Sequence, residues 1–212
     1  MIQPDKKLRS FIEEEIIPRY ASFDKAHQED HVHSVIEQSL KLAPFYDVSI
    51  DMVYAIAAYH DLGLEKDRKT HHLVSGQIVM EDERLLQWFS HEQIETMAKA
   101  VEDHRASSDH EPRSIYGKIV AEADRLIDTD TILRRTIQYG FKHYPDFGKE
   151  AHIKRALDHL DEKYAEGGYL RLWIPESPNA ERLKVLQQLI KQKAKIRELI
   201  ELVYEQVKSA LL

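Results

Sequence analysis

The spacing of helix-breaking residues is the feature that most restricts the fold of this 212-residue chain. Only seven glycines and seven prolines interrupt it, and they lie mostly between long segments of helical period. A β-sandwich would need turn residues at much shorter intervals. The pattern therefore predicts an all-α fold, in which helices pack as a bundle.

One segment, residues 51–59, is apolar on nearly every side. A helix of this kind is expected to lie at the centre of the core, surrounded by other helices. It leads directly into His60 and Asp61, and we expect Gly63 to end the helix in the left-handed conformation. Two polar side chains are thus predicted at the edge of the apolar core.

The other helices are predicted from amphipathic stripes and from end signals. A first helix is expected to end near Pro18, because proline removes a backbone donor. Ser90 and Gln93 have the spacing of a capping box, which predicts the start of a later helix. Further helices are expected over residues 29–42, 73–89 and 115–133.

The chain is predicted to form a single domain over residues 1–212. Residues 136–178 have a weaker pattern and are predicted to be a mobile cover of helices and loops. Residues 179–212 are predicted to form one long C-terminal helix of about 50 Å, at 1.5 Å per residue. Because this exceeds what a small domain needs, its end could pair with a second copy in a homodimer.

Charge and composition exclude several classes of protein. Thirty Lys and Arg against thirty-seven Asp and Glu give a net charge of −7, which does not attract duplex nucleic acid. The absence of cysteine excludes disulfides, thiolate nucleophiles and iron–sulfur clusters, and fits a reducing, cytoplasmic location. No run of about 18 apolar residues is present, so we expect no membrane association. Any metal must therefore be held by His and carboxylate side chains.

Four side chains are candidates for such a site: His31, His60, Asp61 and Asp124. Asp124 lies on the apolar face of its predicted helix, and a buried carboxylate is costly unless it is paired with a cation. Each histidine taken alone is more often a satisfied core residue than a ligand. Together the four could hold a divalent metal ion between three helices, because imidazole and carboxylate groups suit such ions.

These positions resemble the H…HD…D signature of the HD phosphohydrolase superfamily. The segments that carry the resemblance are EDHVHSV (29–35), AAYHDLG (57–63) and KIVAEADRL (118–126), in the order of the family's ligand helices. The resemblance covers roughly residues 20–135, the predicted metal-binding core, and none of the C-terminal third. It implies a helical, metal-dependent hydrolase that cleaves phosphate esters or anhydrides, most often of nucleotides.

A second group of histidines, His71, His72 and His104, is similar to the extra ligands with which some members of the superfamily hold a second metal. Alternatively, His72 and His104 contact the phosphate or donate a proton to the leaving oxygen. The charged run before them, residues 65–69, could also be an ordinary solvated loop. We expect one metal, because Asp61 is the only carboxylate at a bridging position and two-metal sites usually need several anionic ligands.

The ligand types narrow the identity of the metal. Two nitrogen and two carboxylate ligands favour manganese, iron, cobalt or nickel, while zinc and magnesium stay open. Asp61 is expected to orient the attacking water, and Glu65 is the first candidate for general acid or base. Phosphoryl transfer also needs cations near the outer phosphate oxygens. The candidates for this substrate-binding role are Lys66, Lys69, Arg105 and Arg125.

The predicted function is hydrolysis of phosphate ester or anhydride bonds in a nucleotide or similar small phosphate compound. The alternative is a nucleotide-binding regulatory or partner-binding protein that keeps the metal site without significant turnover. Because all four ligands of the signature are present, the sequence favours catalysis. The contacts to base and sugar would come from loops without a motif, so the sequence does not specify the substrate.

Overall fold

A computed structural model describes residues 3–23, 29–108, 110–125 and 127–210. These residues form helices and connecting turns without β-strands, which confirms the predicted all-α class. Within the same ranges, no helix combines the length and the hydropathy needed to cross a membrane. Leu126, on a predicted apolar face, lies outside the described residues, as do the last two positions of the predicted C-terminal helix.

The structure comprises two compact units, and the single domain predicted from the sequence stays a prediction. The first unit comprises residues 1–125 and 172–177, and the second comprises residues 126–171 and 178–212. Each unit buries the apolar faces of its own helices against one another. All candidate metal ligands belong to the first unit.

The central helix of the first unit is α3, as the sequence predicts. All of its residues from Met52 to Tyr59 are buried, and it contacts α2, α4, α5 and α6. Its sequence accounts for this position, because no face of the helix is polar enough to meet solvent. The helices of the unit are α1 (Lys6–Phe11), α2 (Glu29–Leu42), α3 (Ile50–Tyr59), α4 (His71–Glu81), α5 (His91–Glu102) and α6 (Ile115–Asp124).

The signals for helix ends have mixed outcomes. Pro18 does not end the N-terminal helical segment, because it lies at the start of a 3₁₀ turn (Ile17–Ser22) that follows α1 and a π-helical turn. In this first-turn position proline's missing N–H does not cost a hydrogen bond. The predicted capping box is confirmed, since the Ser90 side chain accepts from the Gln93 N–H and the Gln93 side chain accepts from the Ser90 N–H.

Two predicted helices are divided next to aspartate residues. The predicted helix 115–133 ends at Asp124, and the next helix begins after Asp128, whose side chain accepts from a backbone N–H at 2.8 Å. The predicted helix 73–89 is divided at Asp82, where the backbone leaves the helical region with φ −83° and ψ 85°. Short polar side chains compete with the backbone for hydrogen bonds and so favour helix ends. The apolar stripe continues through both breaks, which is why the sequence pattern predicts longer helices.

Gly63 is required by close packing rather than by a left-handed backbone. Among the glycines of the described residues only Gly167 has a positive φ, so the prediction of a left-handed Gly63 is wrong. A Cβ on Gly63 would overlap with the backbone carbonyl of His71 and lie 2.8 Å from the backbone nitrogen of Ser75. The Gly63 N–H also donates to Ser75 Oγ at 2.8 Å. The loop at Gly63 is therefore packed directly on the first turns of α4.

Replacing Gly63 by Ala is expected to lower the free energy of unfolding by about 1–3 kcal/mol, the usual cost of overpacking. The atoms in the way belong to the backbone, so no flexible side chain can relieve the overlap. Chemical denaturation of the metal-free protein measures the effect. Gly148→Ala is the matched control, because a Cβ there meets nothing within 4 Å. Equal stability of the two variants would contradict the close packing of Gly63.

The second unit contains α7 (Thr129–His143), α8 (Lys149–Tyr164), α9 (Asn179–Lys191) and α10 (Lys193–Ser209). The predicted single C-terminal helix is thus divided at Gln192, where φ is −85° and ψ is 72°. The buried positions Ile190 and Ile196 on either side are six residues apart, a spacing that does not keep one face of a continuous helix. The division lets α10 contact α7, α8 and α9. Homodimer formation through this segment stays a prediction.

The segment Leu172–Ser177 returns to the first unit and completes it. The Trp173 N–H donates to Glu122 Oε2 at 2.8 Å, and Glu122 is fully buried. A buried carboxylate needs such donors because it has lost its contacts with water. Ile174 adds to a buried apolar cluster that contains Leu42, Val53 and Ile119. The predicted cover over residues 136–178 is therefore divided between the two units, and its mobility stays a prediction.

Candidate metal centre

Three helices of the first unit bring together the ligands predicted from the sequence. His31 lies in the first turn of α2, His60 and Asp61 directly follow α3, and Asp124 is the last residue of α6. Ligand atoms of His31, His60 and Asp124 lie within 4.8 Å of one another. We call these three residues the first set.

Asp61 directs one carboxylate oxygen towards the first set. Its Oδ2 is 3.3 Å from His60 Nε2 and 3.6 Å from His31 Nε2. His31 Nε2 is in turn 3.2 Å from Asp124 Oδ1. The four predicted ligands therefore meet around one point, although they come from distant parts of the sequence.

The other oxygen of Asp61 meets two further histidines. Asp61 Oδ1 is 3.4 Å from the Nε2 atoms of both His71 and His104, which are 3.2 Å from each other. Ligand atoms of these three residues also lie within 4.8 Å of one another, and we call them the second set. His71 is the first residue of α4, and His104 follows the end of α5. A single carboxylate thus contacts both groups of imidazoles.

Three of the imidazoles, those of His60, His71 and His104, are oriented in the same way. In each, Nδ1 lies 2.6–2.8 Å from the backbone carbonyl oxygen three residues earlier. A carbonyl oxygen can only accept, so Nδ1 carries the proton and Nε2 keeps its lone pair. Bonds of this kind fix the ring and its tautomer in metal sites. The chain therefore directs three Nε2 lone pairs into the centre.

The second set brings acceptor atoms together without a donor between them. With Nδ1 protonated, the Nε2 atoms of His71 and His104 face each other and Asp61 Oδ1, so a proton or a metal cation must lie between them. Burial lowers the pKa of His104, but the Asp61 carboxylate outweighs this effect and raises it above its usual value. Burial and the nearby His104 lower the pKa of His71 to about 4. Nitrogen and carboxylate ligands in this arrangement fit a divalent transition metal.

In the first set, the neighbouring carboxylates hold a proton on His31. Burial alone would lower the pKa of His31, but hydrogen bonds and charges from Asp124 and Asp61 raise it to about 9. Burial would raise the pKa of Asp124, but His31 and then His60 hold it below its usual value. The metal-free first set is therefore a charged pair, in which the proton on His31 takes the place of a cation.

Metal affinity at the first set is expected to rise as the pH increases from about 6 to 9. Because His31 keeps its proton up to a pH of about 9, a metal ion must displace that proton, so affinity should rise up to about tenfold per pH unit. Titration of cobalt against a chromophoric chelator at several pH values measures this slope. His33→Gln, on the same helix, is the control and should keep the slope. An affinity that is constant between pH 6 and 9 would contradict the protonated His31.

The family model described as HD domain matches residues 29–128. These residues are similar to an HD domain, and we refer to this part of the chain as the HD domain. The matched span contains every residue of the first and second sets, and the resemblance seen in the sequence is confirmed. HD domains are helical and bind divalent metals, in agreement with the helices and the His and Asp groups of the matched residues.

Among solved structures, the chain is similar to the crystal structure of a predicted HD superfamily hydrolase from an uncultured Thermotogales bacterium. The two share 24% sequence identity over 73% of this chain and 85% of that chain, with a TM-score of 0.48. A search of curated proteins gave no significant match.

Two residues predicted to be catalytic lie outside both sets. Glu65 forms a bidentate ion pair with Arg19, in which Nε and Nη2 of the guanidinium each donate to a carboxylate oxygen at 2.8 Å. His72 belongs to neither set, and its Nδ1 is buried with no hydrogen-bond partner among the described residues. The catalytic roles of both residues stay predictions.

The four predicted substrate-binding cations of the HD domain differ in exposure. Lys66 and Lys69 are exposed, and Arg105 is half-buried, with its Nη1 donating to the Lys69 carbonyl at 2.8 Å. Arg125 is buried beyond the end of α6, donates to the carbonyl of Ala121, and has its pKa lowered by burial. Contact of these four side chains with a substrate stays a prediction.

The sequence alone does not indicate whether His71 or His72 is the ligand in the second set. His71 lies four residues before Ser75, and His72 lies four residues before Gly76. Both Ser75 and Gly76 are buried, so the helical phase of α4 directs either histidine towards the interior. The choice depends on how α4 is seated on the loop at Gly63, which is a tertiary contact.

Tyr20 contacts the backbone around Asp61 in the candidate metal centre, and the sequence did not predict this role. Its hydroxyl donates to the Ala58 carbonyl at 2.8 Å and accepts from the Asp61 N–H at 3.3 Å. The whole side chain is buried. No local pattern marks a tyrosine for this role, because both of its partners lie about 40 residues away in sequence.

Proposed function

We propose that the protein is a metal-dependent phosphohydrolase in which two divalent ions share Asp61. The proposal is carried by one observation: each carboxylate oxygen of Asp61 faces a different group of imidazole Nε2 atoms at 3.3–3.6 Å. The first set would hold one ion and the second set would hold the other. A carboxylate shared in this way is suited to two-metal hydrolysis of phosphate compounds.

Bound divalent ions would supply a water of lowered pKa and positive charge for the phosphate oxygens. The chain fixes the ligands, because the Nδ1 bonds prevent ring rotation and Tyr20 holds the Asp61 backbone. The Asp124 and His71 side chains are 24% and 15% exposed, whereas His60 and His104 are almost fully buried. Substrate would therefore approach the centre from the side of Asp124 and His71.

We propose two ions, rather than the one ion expected from the sequence, because each carboxylate oxygen of Asp61 faces a different set. Asp61 and Asp124 contribute two negative charges against the four positive charges of two divalent ions, while the imidazoles add none when they act as ligands. The excess positive charge favours an anionic substrate, and a phosphate group meets this requirement. The nitrogen-rich ligands favour manganese, iron, cobalt or nickel over magnesium.

The proposed substrate is a nucleotide or a similar small phosphate compound with a phosphate ester or anhydride bond. A positively charged metal pair supports the phosphate part of this proposal. The nucleotide part rests on the resemblance of the three ligand segments to the HD phosphohydrolase superfamily.

A metal-by-substrate panel tests the proposed function. The protein is stripped of metal and reconstituted separately with manganese, iron(II), cobalt, nickel, zinc and magnesium. Nucleoside mono-, di- and triphosphates and simple phosphate esters are then offered, and phosphate and pyrophosphate release are measured separately. We expect close to two ions per chain with at least one metal, together with turnover of at least one phosphate compound.

Two results would overturn the proposal. If the protein binds none of the six metals, the proposed metal centre is contradicted. Uptake of metal and binding of nucleotides without release of phosphate or pyrophosphate would instead favour a regulatory nucleotide-binding protein.

A further inference from the structure

A cavity of about 470 Å³ opens beside the second set, between the start of α4 and the segment that follows α5. This volume is within the range of small-molecule pockets, about 300–1,000 Å³. We call it the α4–α5 pocket. Its lining includes His72, Glu102, Arg105, Ser107, Ser108 and Arg113.

The α4–α5 pocket adjoins the metal centre through two pairs of neighbouring residues. His71 belongs to the second set and His72 lines the pocket, and their ring centroids are 5.6 Å apart. In the same way, His104 belongs to the second set and Arg105 lines the pocket. A molecule held by the second set could therefore extend into the pocket without leaving the HD domain.

One cation of the pocket, Arg105, is available to a ligand. Arg113 is already engaged, because its Nη2 donates to Glu102 at 2.6 Å and its Nε donates to Asp103 at 2.9 Å. The positive charge of Arg113 therefore neutralises the negative charge of Glu102 in the lining of the pocket. By contrast, Arg105 donates to the Lys69 carbonyl, and no carboxylate of the described residues forms an ion pair with it.

His72 adds a hydrogen-bonding group to the pocket. Its Nδ1 is buried and has no hydrogen-bond partner among the described residues. Because Glu102 is already paired with Arg113, Arg105 leaves a positive charge on this side of the pocket that is unpaired among the described residues, which favours an anion.

We propose that the α4–α5 pocket binds the alcohol part of the phosphate ester and that Arg105 pairs with a second anionic group on it. The substrate class is then a phosphate monoester whose leaving group carries its own phosphate or carboxylate. A guanidinium can meet either group with two parallel N–H bonds, while the hydroxyls of Ser107 and Ser108 can donate to the remaining oxygens. This inference rests on the proposed hydrolase function, which supplies the reacting phosphate at the metal centre.

Two pairs of esters that differ in one negative group test the proposal. Glycerol 3-phosphate is compared with 3-phosphoglycerate, and adenosine 5′-monophosphate is compared with adenosine 3′,5′-bisphosphate. For the manganese-loaded protein, kcat/KM is measured for each ester, and the affinity of each is measured by calorimetry. We expect a preference of about 10- to 100-fold for the ester with the second anionic group in at least one pair, the range typical of a charged hydrogen bond.

Substitutions of Arg105 test whether this residue causes the preference for the ester with the second anionic group. Arg105→Gln should reduce the preference to less than about threefold, and Arg105→Lys should keep part of it, since Lys retains the charge but not the paired N–H donors. Arg135→Gln is the control, because Arg135 is exposed on α7 and should keep the full preference. High salt should weaken binding less in Arg105→Gln than in wild type, because one of the charges that attract the ester is removed.

The outcomes separate the pocket from the proposed function. Equal kcat/KM and equal affinity within both pairs would overturn the pocket assignment, while turnover would leave the hydrolase function standing. Preferential binding that Arg105→Gln abolishes, without turnover of any ester, would support the pocket and count against the hydrolase function. A preference that survives Arg105→Gln would also overturn the assignment.

Discussion

Replacing Asp61 by Asn is expected to reduce kcat by about a thousandfold or more and to lower the metal content to less than one ion per chain. The amide has the shape of the carboxylate but lacks its charge, and it cannot offer an anionic oxygen to both sets. Because Asp61 contacts His60 through one oxygen and His71 and His104 through the other, both metal positions are affected. Elemental analysis and hydrolysis of the best substrate from the panel measure the two effects.

Asp30→Asn is the matched control for this variant. Asp30 precedes His31 on α2 and is exposed, so its replacement should leave metal content and kcat within about twofold of wild type. Circular dichroism of both variants establishes that the helices are retained. An Asp61→Asn protein with two bound ions and wild-type turnover would show that Asp61 is not shared between the sets.

Replacing His71 by Gln is expected to lower the metal content from two ions per chain to one and to reduce kcat by about 10²- to 10³-fold. Its Nε2 is one of only three ligand atoms in the second set, and the remaining pair, Asp61 and His104, is too small to hold an ion tightly. His104→Gln should have the same effect. The double variant should be no worse than either single one, because both remove the same ion.

The adjacent residue provides the contrast. His72→Gln should keep two ions per chain, because His72 belongs to neither set. Elemental analysis of the two variants side by side therefore separates a ligand from its neighbour in sequence. Loss of an ion in His72→Gln but not in His71→Gln would mean that the start of α4 presents the other histidine to the metal.

Much of the fold could be predicted because it depends on local patterns. The apolar segment of α3 and the capping box at Ser90 both describe interactions within a few residues, and both are confirmed. The breaks at Asp82 and after Asp124 could not be predicted from periodicity, because side-chain hydrogen bonds end those helices while the apolar stripe continues. The division into two units depends on which helices pack against each other. An apolar stripe shows which face of a helix is buried, but not which other helix covers it.

In the candidate site, too, some residues could be predicted from local sequence motifs, whereas others depend on contacts between distant parts of the chain. The first set follows from a motif in which each ligand has a characteristic neighbourhood, such as His60–Asp61 after a buried helix. Assignment of His71 to the second set depends on the packing of Gly63 against α4, and Tyr20 reaches the site from about 40 residues away. Such contacts leave no periodic signal, so the sequence could suggest a second metal position and three candidate histidines, but not which of them are ligands.

The return of residues 172–177 to the first unit has a consequence for biosynthesis. During translation the metal ligands leave the ribosome first, but the Trp173 N–H that bonds the buried Glu122 carboxylate emerges 51 residues after Glu122 itself. Until then Glu122 lacks this donor, and Ile174 has not yet joined its apolar cluster. The HD domain therefore cannot complete its native packing when residue 128 has been synthesised, and more than half of the second unit is synthesised before the first unit is complete.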